Sequence, residues 1–376
     1  MKTRKTKLAL VLFITLSHIV WGQGSLTPPG GPAASMKSLG EIDQSISNVL
    51  ISVKTTEPRT PLIAGEPGVS IDPYFGTISI NSSGSYYLTK NLTVSSKNGI
   101  AITADGVTLD LNGFTIRSSS TSTTGSGIYI NGSSVFIFNG HIKSGTSYDS
   151  SASGDQYTGT GFSNGIYSSS VPNNKIHIKN MTVSGCDLHG IYLPADSSCI
   201  VESCVVQIVG GTGIYAGIIN NCSSTTCGGS GISGITISNC EGSSTGSHGI
   251  YAMGVVLNSC GSTFSTSSSH RGIHATDSVK NSYGYSKGGN GIHSGCVENS
   301  YGSSSSQETT STGIYCSMVQ NSYGYSHYGT GINSTIASYC MGMGGSSSSA
   351  YGIQSSIAVA CVAYYGENIT HKYNMP

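Results

Sequence analysis

Charge is what this chain has least of. Asp, Glu, Lys and Arg make up 9% of its 376 residues, against about 25% in an ordinary soluble domain. The signs cancel to a formal net charge of zero, and no run of like charge follows the first few residues. A nucleic acid partner is therefore disfavoured, because it needs a basic surface to displace counterions. Beyond Val20 no apolar run is long enough to span a bilayer. Cys-x-x-C pairs are missing, which argues against a cysteine-held metal, and so are Asp-Asp pairs. What is abundant is glycine, 52 residues, together with serine, interleaved with Ile, Val and Tyr at recurring positions. A disordered chain has no reason to keep such a register. A charge-poor, β-branched, turn-rich chain suits short stacked strands.

The N-terminus speaks to compartment. Lys2, Arg4, Lys5 and Lys7 precede a mainly apolar stretch of 13 residues, Leu8 to Val20, with small residues Val20 and Gly22 before a cleavage point. Residues 1–22 read as a secretory signal peptide. The expected mature protein is secreted, extracellular or at the cell surface, with no membrane span after cleavage. Residues 23–60 form a Pro/Gly linker, Pro28-Pro29-Gly30-Gly31-Pro32, followed by a short helix capped by Ser35 and running to about Ile46. Residues 61–98 are expected as N-terminal cap strands, 99–366 as the main body and 367–376 as a tail.

The body is defined by a repeat. Gly-Ile recurs at Gly190, Gly213, Gly231, Gly249, Gly272, Gly291, Gly313, Gly331 and Gly352, in steps of 23, 18, 18, 23, 19, 22, 18 and 21 residues. Weaker copies begin at Gly99, Gly127 and Gly165. A second block follows, as in Val279-Lys280-Asn281-Ser282-Tyr283 and Val297-Glu298-Asn299-Ser300-Tyr301. A unit of about 20 residues cannot bury its own apolar face and must stack on its neighbours. Leucine-rich patterning is absent, and glycine at this density would cost a helix about 1 kcal/mol per residue. An all-β, right-handed parallel β-helix (β-solenoid) of about 12 coils remains, the hand following from parallel crossovers. At roughly 4.8 Å per coil the rod would be about 55–60 Å long.

Strand alternation gives directions. Ile273 faces inward and His274 outward; Val279 faces inward, while Lys280, Glu298 and Gln320 face outward. Asn281, Asn299 and Asn321 are expected to stack inward at a bend, linked through their amides. Cys204, Cys222, Cys240 and Cys260 are expected in one inward column, continued by Tyr283, Tyr301 and Tyr323 and then Cys340 and Cys361, as mostly free, buried thiols. The residue after each Gly-Ile forms an outward column that includes Tyr129, Tyr167, Tyr192, Tyr215, Tyr251, His274, His293 and Tyr315. The residue before it forms another, with His248, Arg271 and Asn290. Adjacent coils thus gather His248, Arg271, His274, Asn290 and His293 into a titratable patch. Outward tyrosines offer large contact area with a polar tip, which suits sugar rings.

The segment Asp105-Gly106-Val107-Thr108-Leu109-Asp110-Leu111-Asn112-Gly113-Phe114-Thr115-Ile116 and the Gly-Ile-Tyr and Asn-Ser-Tyr repeats resemble the right-handed parallel β-helix proteins of the pectate-lyase-like superfamily, over roughly residues 78–366. With its Pro/Gly leader and Glu57-Pro58-Arg59-Thr60-Pro61, the chain also looks like an exported bacterial group of that type. The resemblance implies the fold specifically and function only broadly: its relatives include polysaccharide lyases, polygalacturonases, epimerases and phage tailspikes. The paired aspartates of a polygalacturonase are not found; Asp105 and Asp110 read as turn-shaping residues. The carboxylates Asp187, Asp196, Glu202, Glu241, Asp277 and Glu298 are too scattered to draw a calcium site, so no cofactor is expected, with calcium the one that the resemblance would suggest. In a lyase, His248, Arg271, His274 and His293 would supply base and charge neutraliser for a uronate. The expected function is binding of polysaccharide or cell-surface glycan along the outward Tyr/His face, through Tyr167, Tyr192, Tyr215, Tyr251, Asn290 and Tyr315. The alternatives are a polysaccharide lyase and a structural, adhesin-like rod.

Overall fold

The computed structural model describes residues 38, 40–45, 58–95, 97–152, 156–168, 175–347, 349–364 and 366–373. Two units result, Met1–Glu57 and Pro58–Pro376. The expected signal peptide and Ser35 lie outside the described residues. In the first unit, residues 40–45 are helical. The cap is Ser38, in a reciprocal arrangement: Glu41 N donates to Ser38 Oγ at 3.2 Å and Ser38 N donates to Glu41 Oε2 at 2.7 Å, a capping box in miniature. Among the described residues no helix is long and apolar enough to cross a membrane.

The second unit is an all-β parallel solenoid of about 13 turns, with three strands per coil. The first ladder carries the Gly-Ile strands, for example Ile250↔Ile273↔Ile292↔Ile314. The second carries the valine strands, Val256↔Val279↔Val297↔Val319. The third carries the strands after the Asn bend, Cys260↔Tyr283↔Tyr301↔Tyr323. The inward directions hold: Ile191, Ile214, Ile250, Ile273 and Val279 have no solvent exposure, while Lys280 is exposed. Each such burial stabilises by roughly 1.5–3 kcal/mol, which explains why the Ile and Val positions anchor the repeat.

The ends differ from expectation. Residues 78–94, expected as cap strands, make a complete coil: Ile78–Ile80, Gly84–Tyr87 and Leu92–Val94 each pair in parallel with the coil after it. Before this coil, Val69–Ile71 runs antiparallel against Ile78–Ile80. At the other end, residues 367–373, expected as a tail, form a further strand, Glu367–Tyr373, in register with Ile353–Val359. Alternation is weak in Glu-Asn-Ile-Thr-His-Lys-Tyr, where Ile369 alone is partly buried among seven residues, so the sequence carried no strand signal there.

The Asn column is corrected in direction. Asn221, Asn239, Asn258, Asn281, Asn299 and Asn321 sit at the bend between the second and third ladders with φ between 48° and 54°, a conformation that Asn tolerates better than most residues. This geometry turns their side chains outward, and all six are exposed. The inward place belongs to the next residue. Ser259, Ser282, Ser300 and Ser322 are buried. Ser282 Oγ donates to Lys280 O at 2.7 Å and accepts the Ser259 N–H at 3.1 Å. Cys204, Cys222, Cys240, Cys340 and Cys361 occupy the equivalent place, with Cys204 N–H on Cys222 Sγ at 3.4 Å. Cys260 is one residue further on, in register with Tyr283, so it and the tyrosines face outward rather than sharing the cysteine column. All eleven cysteines are free and nine are buried, Cys260 and Cys296 being partly exposed. Burial pushes the Cys186, Cys227 and Cys316 thiols up to about 12, which makes them unreactive.

Asp110 ties the N-terminal approach to the solenoid. It is buried and pairs with Arg59 Nη1 at 2.7 Å. It also accepts the Asn112 N–H at 2.7 Å and an Asn139 amide N–H at 3.2 Å. Arg59 lies over the Tyr87 ring, 4.9 Å from its centroid. Asp105 holds the Ser133 N–H of the following coil at 2.7 Å. Both aspartates therefore have structural work. Asp110→Asn is expected to cost about 2 kcal/mol by weakening the buried carboxylate's charge-assisted bonds to Arg59, Asn112 and Asn139; faster amide exchange in residues 84–94, measured by mass spectrometry, checks it.

Candidate functional site

The outward column beside the first ladder is continuous in register. It runs Tyr129↔Tyr167↔Tyr192↔Tyr215, passes Ser233, and resumes Tyr251↔His274↔His293↔Tyr315↔Asn333↔Gln354. Tyr129–Tyr167, Tyr167–Tyr192 and Tyr192–Tyr215 stack with centroids 6.2, 5.9 and 4.7 Å apart. Each ring therefore turns a face to its neighbour and presents its edge and hydroxyl outward. Ser233, only 7% exposed, divides this stack from the second group. There Tyr251 meets His274 edge-on at 5.1 Å, His274 stacks on His293 at 5.0 Å, and His293 meets Tyr315 edge-on at 4.8 Å. Tyr315 is the most open, 44% exposed. A cleft of about 450 Å³ lies against His274, His293, Tyr315 and Asn333. Asn333 and Gln354 extend the column but were not anticipated, because a search for aromatics passes over amides.

The flanking column does something different. His248 Nδ1 accepts the Arg271 N–H of the next coil at 3.0 Å. His189 does the same for Thr212 at 3.0 Å, and the Oδ1 atoms of Asn98 and Asn290 do so for Ser126 and Thr312 at 2.8 and 2.9 Å. This position is a coil-to-coil acceptor that either Asn or a neutral imidazole can fill. His248 Nδ1 and Asn290 Oδ1 are thus each engaged with the backbone of the next coil.

The structure does bring His248, Arg271, His274 and His293 together, and adds His270, 5.6 Å edge-on from His248 with its Nδ1 against Ser265 Oγ at 2.7 Å. His270 sits in a turn outside the repeat, where register gives no guide. Burial, then the charges of His274 and Arg271, push His248 down to about 3. Burial and Arg271 push His274 and His293 down to about 4. Arg271 Nη1 donates to Ser269 O at 2.8 Å. Among the described residues, no group of three His, Cys, Asp or Glu side chains is placed to hold a metal ion.

One further feature crosses coils. The antiparallel hairpin formed by Ser147–Tyr148 and Tyr157–Thr158 sends Tyr157 to Thr245, Oη to Oγ1 2.9 Å. These residues are 88 apart in sequence, which explains why spacing gave no hint of the contact.

These features define a parallel β-solenoid with an aromatic outward column. No protein-family model matches the sequence, and no curated protein matches it. Two solved structures are similar: the enzymatically active domain of tailspike protein 2 of bacteriophage CBA120, at 14% identity and TM-score 0.31 over 76% of this chain and 42% of that one, and the full-length tailspike protein 2 from an Escherichia coli O157:H7 bacteriophage, at 12% identity and TM-score 0.18 over 74% of this chain and 34% of that one. The chain thus spans less than half the length of either.

Proposed function

We propose that this is an exported, non-catalytic β-solenoid of the pectate-lyase-like type that binds polysaccharide along the outward Tyr/His column of its first ladder. The observation that carries the reading is the alignment of Tyr129, Tyr167, Tyr192 and Tyr215, followed by Tyr251, His274, His293 and Tyr315, on one straight face of a rigid rod. Stacked tyrosines supply apolar edges and a row of hydroxyls, one per coil, the combination that suits a repeating polyhydroxylated ligand. The imidazoles are poorly suited to act as general base. A general base works best near the operating pH, and His248, His274 and His293 are held well below it. The reading needs no cofactor, and its partner is a polysaccharide or cell-surface glycan outside the cytoplasm.

A glycan array covering neutral and acidic polymers tests the proposal, followed by titration of the best ligand against the Tyr167→Ser/Tyr192→Ser/Tyr215→Ser variant. Loss of at least tenfold in affinity is expected, since an aromatic contact is worth about 0.5–1.5 kcal/mol. Silence of the whole array, or growth of ultraviolet-absorbing unsaturated product on incubation, overturns the binding or the non-catalytic part respectively.

A further inference from the structure

A groove of about 1630 Å³ follows the corner where the second ladder bends into the third, a different side of the coil from the Tyr/His column. Nine consecutive coils contribute to it, from Ser203 to Val362, a run of roughly 40 Å at the spacing of stacked strands. One wall is the exposed asparagine column. The other, in its later half, is Tyr283, Tyr301 and Tyr323, with centroids 5.2 and 5.0 Å apart. The floor is backbone and the inward Ser and Cys residues, whose polar groups are already used.

The asparagines are linked along the rod. Asn239 Nδ2 donates to Asn220 Oδ1 at 2.9 Å, Asn258 to Asn239 at 3.2 Å, Asn281 to Asn258 at 3.1 Å and Asn299 to Asn281 at 3.3 Å. A carboxamide has two N–H donors and an oxygen with two lone pairs. In Asn239, Asn258 and Asn281 the ladder uses one of each, so these three coils each present one further donor and one further acceptor to the groove. A hydroxyl is the group that answers both. A peptide strand is a poor fit, because the backbone N–H and C=O groups of the coils already bond along the rod and offer no edge to extend. An ionic ligand is a poor fit as well, since Glu241 is the one charged residue lining the groove among the described residues.

The geometry points to a second glycan site here, taking a linear neutral polysaccharide that lies parallel to the rod with its hydroxyls on the Asn ladder and its rings beside Tyr283, Tyr301 and Tyr323. It shares with the proposed function the premise that the rod binds glycans, but not the face.

Calorimetric titration of the full chain with neutral gluco-, manno- and galacto-oligosaccharides of increasing length tests it. The Asn258→Gly/Asn281→Gly/Asn299→Gly variant removes the amides while keeping a residue at ease at positive φ, and Tyr301→Ser alters the opposite wall without touching the bend. Affinity is expected to rise with oligosaccharide length and to fall at least tenfold in both variants, with the circular dichroism spectrum unchanged. It should survive Tyr167→Ser/Tyr192→Ser/Tyr215→Ser. Failure of the whole neutral series to bind the unaltered protein, or wild-type affinity in both groove variants, overturns the groove. Loss confined to the Tyr167/Tyr192/Tyr215 variant overturns the groove but upholds the outward column; loss confined to the groove variants upholds the groove, and the outward column then stands or falls on the titration of its own array ligand.

Discussion

Gly284→Val is expected to destabilise the solenoid by about 4 kcal/mol, among the largest effects a single added side chain produces. A Cβ at Gly284 would lie 2.4 Å from Gly291 O and 2.6 Å from Ile292 Cγ1, and one at Gly272 would lie 2.3 Å from Tyr285 N. Carbonyl and amide atoms cannot swing aside as a flexible side chain can, so the third ladder must part from the first. Faster hydrogen exchange confined to residues 272–302 checks it, because a solenoid opens locally where nearest-neighbour contacts fail. Wild-type protection there would mean that the backbones do not pack face to face.

The same substitution would be natural a few coils earlier. Down the inward column of the third ladder the residues run Ile116, Ile142, Val183, Val206, Ser224, Gly242, Gly261, Gly284, Gly302, Gly324, Gly342, one per coil. Side-chain volume shrinks from Ile to nothing. In the early coils the glycine of Gly-Ile faces a methyl group: a Cβ at Gly165 would meet Val183 Cγ1, and one at Gly190 would meet Val206 Cγ1, both at 2.3 Å. In the later coils it faces backbone. The two ladders therefore draw together along the rod, and buried hydroxyls replace apolar filling. Ser286 Oγ donates to His270 O at 2.9 Å and accepts the Gly289 N–H at 2.8 Å; Ser304 Oγ donates to Gly289 O at 2.7 Å. Much of the unusual Gly and Ser content is explained by this narrowing.

That gradient was readable in the sequence, since aligned repeats contain it, yet repeat logic looks for sameness and passes over drift. The Gly-Ile and Val-Lys directions were legible for the opposite reason: a one-residue slip would turn every isoleucine to solvent. Alternation fails where φ changes sign. At Asn281 the left-handed bend inverts the expected direction, and the same bend moves Cys260 one place off the Cys240 column. The candidate site was legible to the extent that it repeats. Tyr192 and Tyr215 follow from register alone, whereas His270, held in a turn, and the bond of Tyr157 to Thr245 depend on segments between the repeats. The bond that His248 accepts from the next coil's Arg271 N–H was not legible, because a hydrogen bond to backbone leaves no trace in residue identity.

Acidification from pH 7 to pH 4 is expected to remove on the order of 4 kcal/mol of stability from coils 248–293. His248, His274 and His293 titrate near 6.5 when unfolded, and are pushed down to about 3, 4 and 4 in the fold, by burial first and by one another and Arg271 second. Lowered folded values mean that the unfolded chain binds more protons at intermediate pH. Their stabilising contribution is thus whole above about pH 6.5 and declines as pH falls toward 3–4. His274 and His293 are partly solvated, so the raw shifts are discounted for screening in that figure. The charged groups acting on the three rings are Arg271 and His270, with the rings themselves, and none of these supplies a compensating negative charge. His248→Asn keeps an acceptor for the Arg271 N–H, as Asn290 does for Thr312, and removes one titrating ring. Together with His274→Gln it should flatten the pH dependence of the melting temperature between pH 6.5 and 4 by more than half while leaving stability at pH 7.5 within about 1 kcal/mol. An unchanged slope in that double variant would show that other groups govern the acid response, and that the imidazoles stay solvated enough to protonate without opening the coils.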